Sequence, residues 1–95
     1  MIKKHYLKKI SETLHRQTKD KSVQIFIFGS SLNKKNFGDI DVGIIGNLKK
    51  PELSQIKTTF DESTLPYNID IVNFKKSSPS FKNNVLKNQI LWIKH

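Results

Sequence analysis

The sequence predicts an α/β (α+β) domain, a small mixed β-sheet of about three to four strands flanked by helices. Three observations predict it. The apolar spacing switches along the chain between the helical period and the alternating strand period. Each switch falls on a cluster of Gly, Pro, Ser, Asn or Lys that ends one element before the next begins. The length, 95 residues, suits a single domain over 1–95, whose thin core removes roughly 60–65% of the unfolded chain's surface from water.

The elements follow in order. Ile2, Tyr6, Ile10 and Leu14, with Leu7 beside them, recur at helical spacing through residues 2–18, and Lys3, Lys4, Lys8 and Lys9 fill the outer face. KDKS at 19–22 ends that helix before an apolar strand, VQIFIF at 23–28. Gly29-Ser30 closes the strand, and a short helical turn starts at Ser30. A second strand runs from Asp39 to Ile45 and ends at Gly46-Asn47. Pro51 suits the first position of the next helix and Glu52 its positive end, while Leu53, Ile56 and Phe60 repeat at helical spacing to about Glu62. Leu65-Pro66 leads into YNIDIVNF at 67–74, with Tyr67, Ile69 and Ile71 on one face and Asn68, Asp70 and Val72 on the other. KKSSPS at 75–80 breaks that strand before a last helix, with Ser78 as N-cap, Pro79 in its first position, and Phe81, Val85, Leu86 and Ile90 as its buried face. The terminal Leu91-Trp92-Ile93 folds back on the domain's own sheet or, on a sharper reading, meets a partner.

Composition narrows the function classes. No cysteine is present, so neither a disulfide framework nor a thiolate metal site is available. The start, MIKKHYLKKI, lacks the unbroken apolar stretch of a signal peptide or membrane span, and a cytoplasmic location is expected. The formal charge of +9 favours acidic partners, polyphosphate or nucleic acid. Against nucleic acid stands the make-up of that charge: Arg16 is the sole arginine, and the lysines scatter through KK pairs at 3–4, 8–9, 34–35, 49–50 and 75–76. Lys34-Lys35 lies between Gly-Ser and the carboxylates, where a triphosphate would pass.

Chemistry concentrates in residues 25–43, IFIFGSSLNKKNFGDIDVG. Successive strand side chains alternate faces, so Asp39 and Asp41 point the same way about 7 Å apart, with Ile40 and Val42 opposite. Taken alone, an Asp-x-Asp is often a solvated strand end. Here it opens an apolar strand, and like charges about 7 Å apart repel by roughly 2 kcal/mol at an effective dielectric near 20, which calls for water or a cation between them. The spacing suits a pair of divalent ions about 3.5 to 4 Å apart. Asp70 adds a third carboxylate in mid-strand, a position where Asp is disfavoured unless it faces water or is held by a cation or donors. His5, His15 and His95 lack metal-site spacing, and Ser30 and Ser31 lack both a nucleophile-elbow motif and a nearby histidine in sequence, so acyl transfer fits poorly.

Gly29-Ser30, then Asp39-Ile40-Asp41, then Asp70 on a later strand resembles the signature of the minimal nucleotidyltransferases of the DNA polymerase beta superfamily. The resemblance implies a polymerase beta-like fold and transfer of a nucleoside monophosphate, AMP from ATP, in a reaction using two Mg2+ ions. It implies that Asp39, Asp41 and Asp70 are the catalytic and metal-binding residues, and that Gly29 and Ser30 hold the β and γ phosphates. Short stand-alone members resemble antitoxins paired with a HEPN-type RNase toxin, which implies a protein acceptor, commonly a tyrosine hydroxyl. The usual pattern places a small residue and an arginine after Gly-Ser, whereas Ser31, Leu32, Asn33 and Lys34 stand here.

Two other readings stay open. A non-catalytic antitoxin would keep the fold and the carboxylates and neutralise an acidic partner by binding. A basic nucleic-acid-binding module would bind any duplex with steep salt dependence and no need of magnesium, and the lack of arginine clusters and stacking aromatics argues against it.

Overall fold

The computed structural model describes residues 2–29, 32, 38–74, 79, 83, 87 and 89–94. Its elements are helix α1 (Lys4–Gln17), strands β1 (Gln24–Phe28) and β2 (Asp39–Ile45), helix α2 (Lys50–Asp61), and strands β3 (Asn68–Asn73) and β4 (Leu91–Lys94). The strands form one mixed sheet in the order β3-β2-β1-β4. β1 lies antiparallel to both neighbours, while β2 and β3 are parallel. Parallel neighbours cannot be joined by a tight turn, and α2 supplies the crossover between them.

Alternation along the strands divides the sheet into two faces. Ile25, Ile27, Ile40, Val42, Ile44 and Ile69 turn toward Ile10 and Leu14 of α1 and Ile56 and Phe60 of α2, forming the main core. Full burial of each such side chain stabilises the fold by about 1.5–3 kcal/mol. The opposite face carries an aromatic cluster. The Phe26 ring lies 5.2 Å from Phe74, 5.4 Å from Trp92 and 5.7 Å from Phe28, in the tilted and edge-on arrangements that aromatic quadrupoles favour. Gly43 of β2 is buried against this cluster, because a Cβ there would run into the rings of Phe26 and Phe74.

The ends of α1 and α2 are closed by local side chains together with lysines from distant parts of the chain. Thr18 Oγ1 donates to Leu14 O at 2.7 Å, and Lys94 Nζ donates to Thr18 O at 2.7 Å and Lys21 O at 3.0 Å. An ammonium group there meets the partial negative charge of the carbonyls at the end of α1. At the start of α2, the Glu52 carboxylate accepts the Lys49 N–H at 3.0 Å and pairs with Lys21 Nζ at 2.7 Å. Helix α2 begins at Lys50, so Pro51 occupies the second helical position, where a missing N–H is equally harmless.

The C-terminal segment folds back on the sheet, as its apolar end leads one to expect. Leu91-Trp92-Ile93 does more than fold back on the sheet: with Lys94 it forms edge strand β4 against β1, with a register shift between Ile25 and Phe26. Pro79, Asn83 and Lys87 are helical and exposed, whereas Ser78, Phe81, Val85 and Leu86 lie outside the described residues. Ile90 lies beyond the helix and is half-buried. Among the described residues no helix is long and apolar enough to cross a membrane.

Candidate active site

Strand β2 opens with the Asp-x-Asp pair, and its burial pattern separates the two faces cleanly. Ile40 and Val42 are fully buried in the helix-side core, while Asp39 is exposed and Asp41 half-buried on the other face. The neighbouring strands complete the surroundings of Asp41. Parallel pairing sets it opposite Asp70 of β3, and antiparallel pairing sets it opposite Phe28 of β1. Neighbouring strands lie about 4.8 Å apart, so the crossover through α2 brings Asp70 beside Asp41 on one face. Asp70 is exposed, which answers the question its mid-strand position raised: it faces water.

Gly29 ends β1 beside these acids with φ at 88°, in the left-handed region that favours glycine. A Cβ at this position would run into Oδ2 of Asp41. The Asp41 carboxylate thus lies against the bare backbone where β1 turns away. Leu32 follows on a short helical turn, its N–H donating to Gly29 O at 3.3 Å, and its side chain enters the core.

Asp41 is held above the ordinary carboxylate range, first by burial and then by the like charges of Asp70 and Asp39. Among the described residues none of the three carboxylates makes an ion pair. Uncompensated negative charge on one sheet face is a donor set of hard oxygens, the kind that Mg2+ takes. The side chains as they stand do not converge into a cage: among the described residues no group of three Asp, Glu, His or Cys is arranged to hold a metal ion.

The structure therefore brings Asp39, Asp41, Asp70 and Gly29 together at one end of the sheet. Ser30, expected to hold phosphate, lies outside the described residues, as do Ser31, Lys34, Lys35 and His95. His5 stacks on Tyr6, and His15 hydrogen-bonds Ile93 O through Nε2 at 3.0 Å, so neither joins the acids.

The model of the family described as "Polymerase beta, Nucleotidyltransferase" matches residues 8–95. The chain belongs to this polymerase beta nucleotidyltransferase family. No curated protein matches the sequence. The match spans both the carboxylate strands and the C-terminal strand β4, and the four-stranded mixed sheet with helices α1 and α2 is consistent with a nucleotidyltransferase fold. Nucleotidyltransferases of this family typically act on a nucleoside triphosphate with a divalent metal, and the oxygen donors here are of the right type for one.

Two features of this nucleotidyltransferase site escaped the sequence reading. Phe28 lies directly across from Asp41 and forms the wall between the acids and the aromatic cluster. Gly43, two residues beyond Asp41 on the same face, lets that cluster close over the strand. A signal for Gly43 was present, since a glycine inside an apolar strand marks a close approach by something else.

Proposed function

We propose that this chain transfers a nucleoside monophosphate, AMP from ATP, onto a hydroxyl of a partner protein, as the antitoxin of a pair with a HEPN-type toxin. The observation that carries the reading is the register that sets Asp41 opposite Asp70, with Asp39 on the same face and Gly29 alongside. Asp39 and Asp41 would hold the metal, with Asp70 as a third ligand. Bound there, magnesium supplies neutralising charge for the phosphates and a lowered pKa for the acceptor hydroxyl. Gly29 leaves the end of β1 bare, so a phosphate can approach the backbone closely. Asp70, exposed on the edge strand, is open to an incoming acceptor, and in this reading it orients the hydroxyl and takes its proton.

The test is incubation with α-labelled ATP, CTP, GTP and UTP and magnesium beside the protein encoded next to it, with Asp39→Asn/Asp41→Asn as control. Magnesium-dependent label on the neighbour that disappears in the control supports the reading and identifies the nucleotide. Metal binding has its own readout. Magnesium at about ten times its Kd should raise unfolding stability by about 1.4 kcal/mol in the natural chain and by far less in the double Asn variant.

Two observations favour a second reading. The acids do not converge into a ready metal cage among the described residues, and Leu32 is built into the core close after Gly-Ser. A non-catalytic antitoxin that neutralises its partner by binding is consistent with both. In that case the double Asn variant neutralises as well as the natural chain, and no label appears although the complex forms.

A further inference from the structure

We propose that the groove between α1 and β4 docks an amphipathic helical segment of a partner protein, one whose apolar side chains are flanked by Asp and Glu. The groove is open and holds about 320 Å³. Its floor is apolar: Leu7 from the helix, and Leu91 and Ile93 from the strand. Leu91 is 36% exposed, the most exposed large hydrophobic side chain among the described residues.

The rim is cationic. Lys4, Lys8, Ser11 and His15 recur at the spacing of one helical stripe, which runs along β4. Lys4 makes no ion pair among the described residues, and Lys8 has only Glu12, 4.0 Å away with both side chains largely exposed. Such a pair is weak, so the Lys8 ammonium remains available to an incoming carboxylate.

Three observations choose the occupant. The His15 ring hydrogen-bonds the carbonyl of Ile93, which obstructs addition of a further strand along this edge and favours a helix lying in the groove. A second copy of the chain would bring another +9 of charge to a lysine-rimmed surface. Nucleic acid would meet the lysines but leave the apolar floor unused. An acidic, amphipathic segment satisfies rim and floor together.

The groove opens on the α1 side of the sheet, while the carboxylates lie on the opposite face. Docking therefore stands or falls independently of nucleotidyl transfer.

A displayed library of helical peptides is selected against the full chain, and enriched peptides carrying a fluorescent label are titrated by anisotropy. The expected binders carry apolar residues at helical spacing beside Asp or Glu and weaken as salt rises. Lys4→Glu/Lys8→Glu should weaken them by roughly tenfold or more, as two attractions become repulsions. Lys4→Gln/Lys8→Gln should fall between, and Asp39→Asn/Asp41→Asn should bind like the natural chain. The proposal is overturned if no binder is enriched, if binders lack acidic residues, or if the lysine variants bind unchanged. Equal competition by DNA duplex or anionic vesicles, or a self-associated dimer in sedimentation, overturns it as well.

Discussion

Replacing Gly29 by alanine probes the contact on which the site geometry depends. At φ 88° an L-residue is strained, at a cost of about 1–2 kcal/mol. The new methyl group would also overlap Oδ2 of Asp41, with Cγ 3.4 Å away. Oδ2 is the free end of a rotatable side chain, so the overlap is relieved by moving the carboxylate off its rotamer, between Phe28 and Asp70 on the neighbouring strands. A displaced rotamer costs about 0.5–1.5 kcal/mol, so with the backbone strain the total loss is about 1.5–3.5 kcal/mol out of roughly 5–15 for a domain. A double-mutant cycle separates the two parts. In an Asp41→Ala background the overlapping oxygen is gone while the Cβ, 3.6 Å from the new methyl, makes an ordinary contact. Only the backbone strain then remains, and the coupling energy should be about 0.5–1.5 kcal/mol. The assay is urea unfolding followed by Trp92 emission, with m-values compared across the four proteins. Additivity of the two substitutions within roughly 0.5 kcal/mol would refute the Gly29–Asp41 contact.

Asp41→Asn should change stability in a pH-dependent way. Because the folded chain holds the Asp41 proton more tightly than the unfolded chain, stability from this group is present at low pH and is lost as pH rises above 3.8 toward the raised folded value. The variant should therefore be the more stable protein at pH 7, because it is spared first the burial of a charge and then the repulsion of Asp70 and Asp39, and should match the natural chain below that window; urea midpoints at both ends check it. Gly43→Ala should lower Tm by roughly 10–20 °C, since the added methyl sits 2.6 Å from Phe74 Cε2 and 2.7 Å from Phe26 Cε2. A calorimetric scan showing no loss would mean that the aromatic cluster does not close over β2. Lys94→Met removes the ammonium that caps the end of α1, and should cost about 1–3 kcal/mol and speed amide exchange in the last turn of that helix, as measured by NMR.

The second strand could be read from the sequence with correct ends, Asp39–Ile45, because alternation of buried Ile and Val with carboxylates is a local pattern. The two helices, and the sharing of one face by Asp39 and Asp41, were legible for the same reason. Strand β4 was not, because Leu91-Trp92-Ile93 is too short a run to carry a period, and pairing with distant β1 decides its conformation. Ile90 was assigned to a helical face by spacing alone, yet the chain has left the helix by that point.

What the sequence by itself determined was the inventory: an alternating α/β order, a pair of carboxylates on one strand face, a third on another strand, and a Gly-Ser end to the first. Such features depend on periodicity and on steric preferences of neighbouring residues, which are local. Tertiary structure alone decided that β3 runs parallel beside β2 with Asp70 opposite Asp41, that Gly29 supports the Asp41 carboxylate, and that β4 closes the other edge to form a lysine-rimmed groove. Those outcomes depend on which strand edges meet and in what register, and that is settled by burying both faces of the sheet at once.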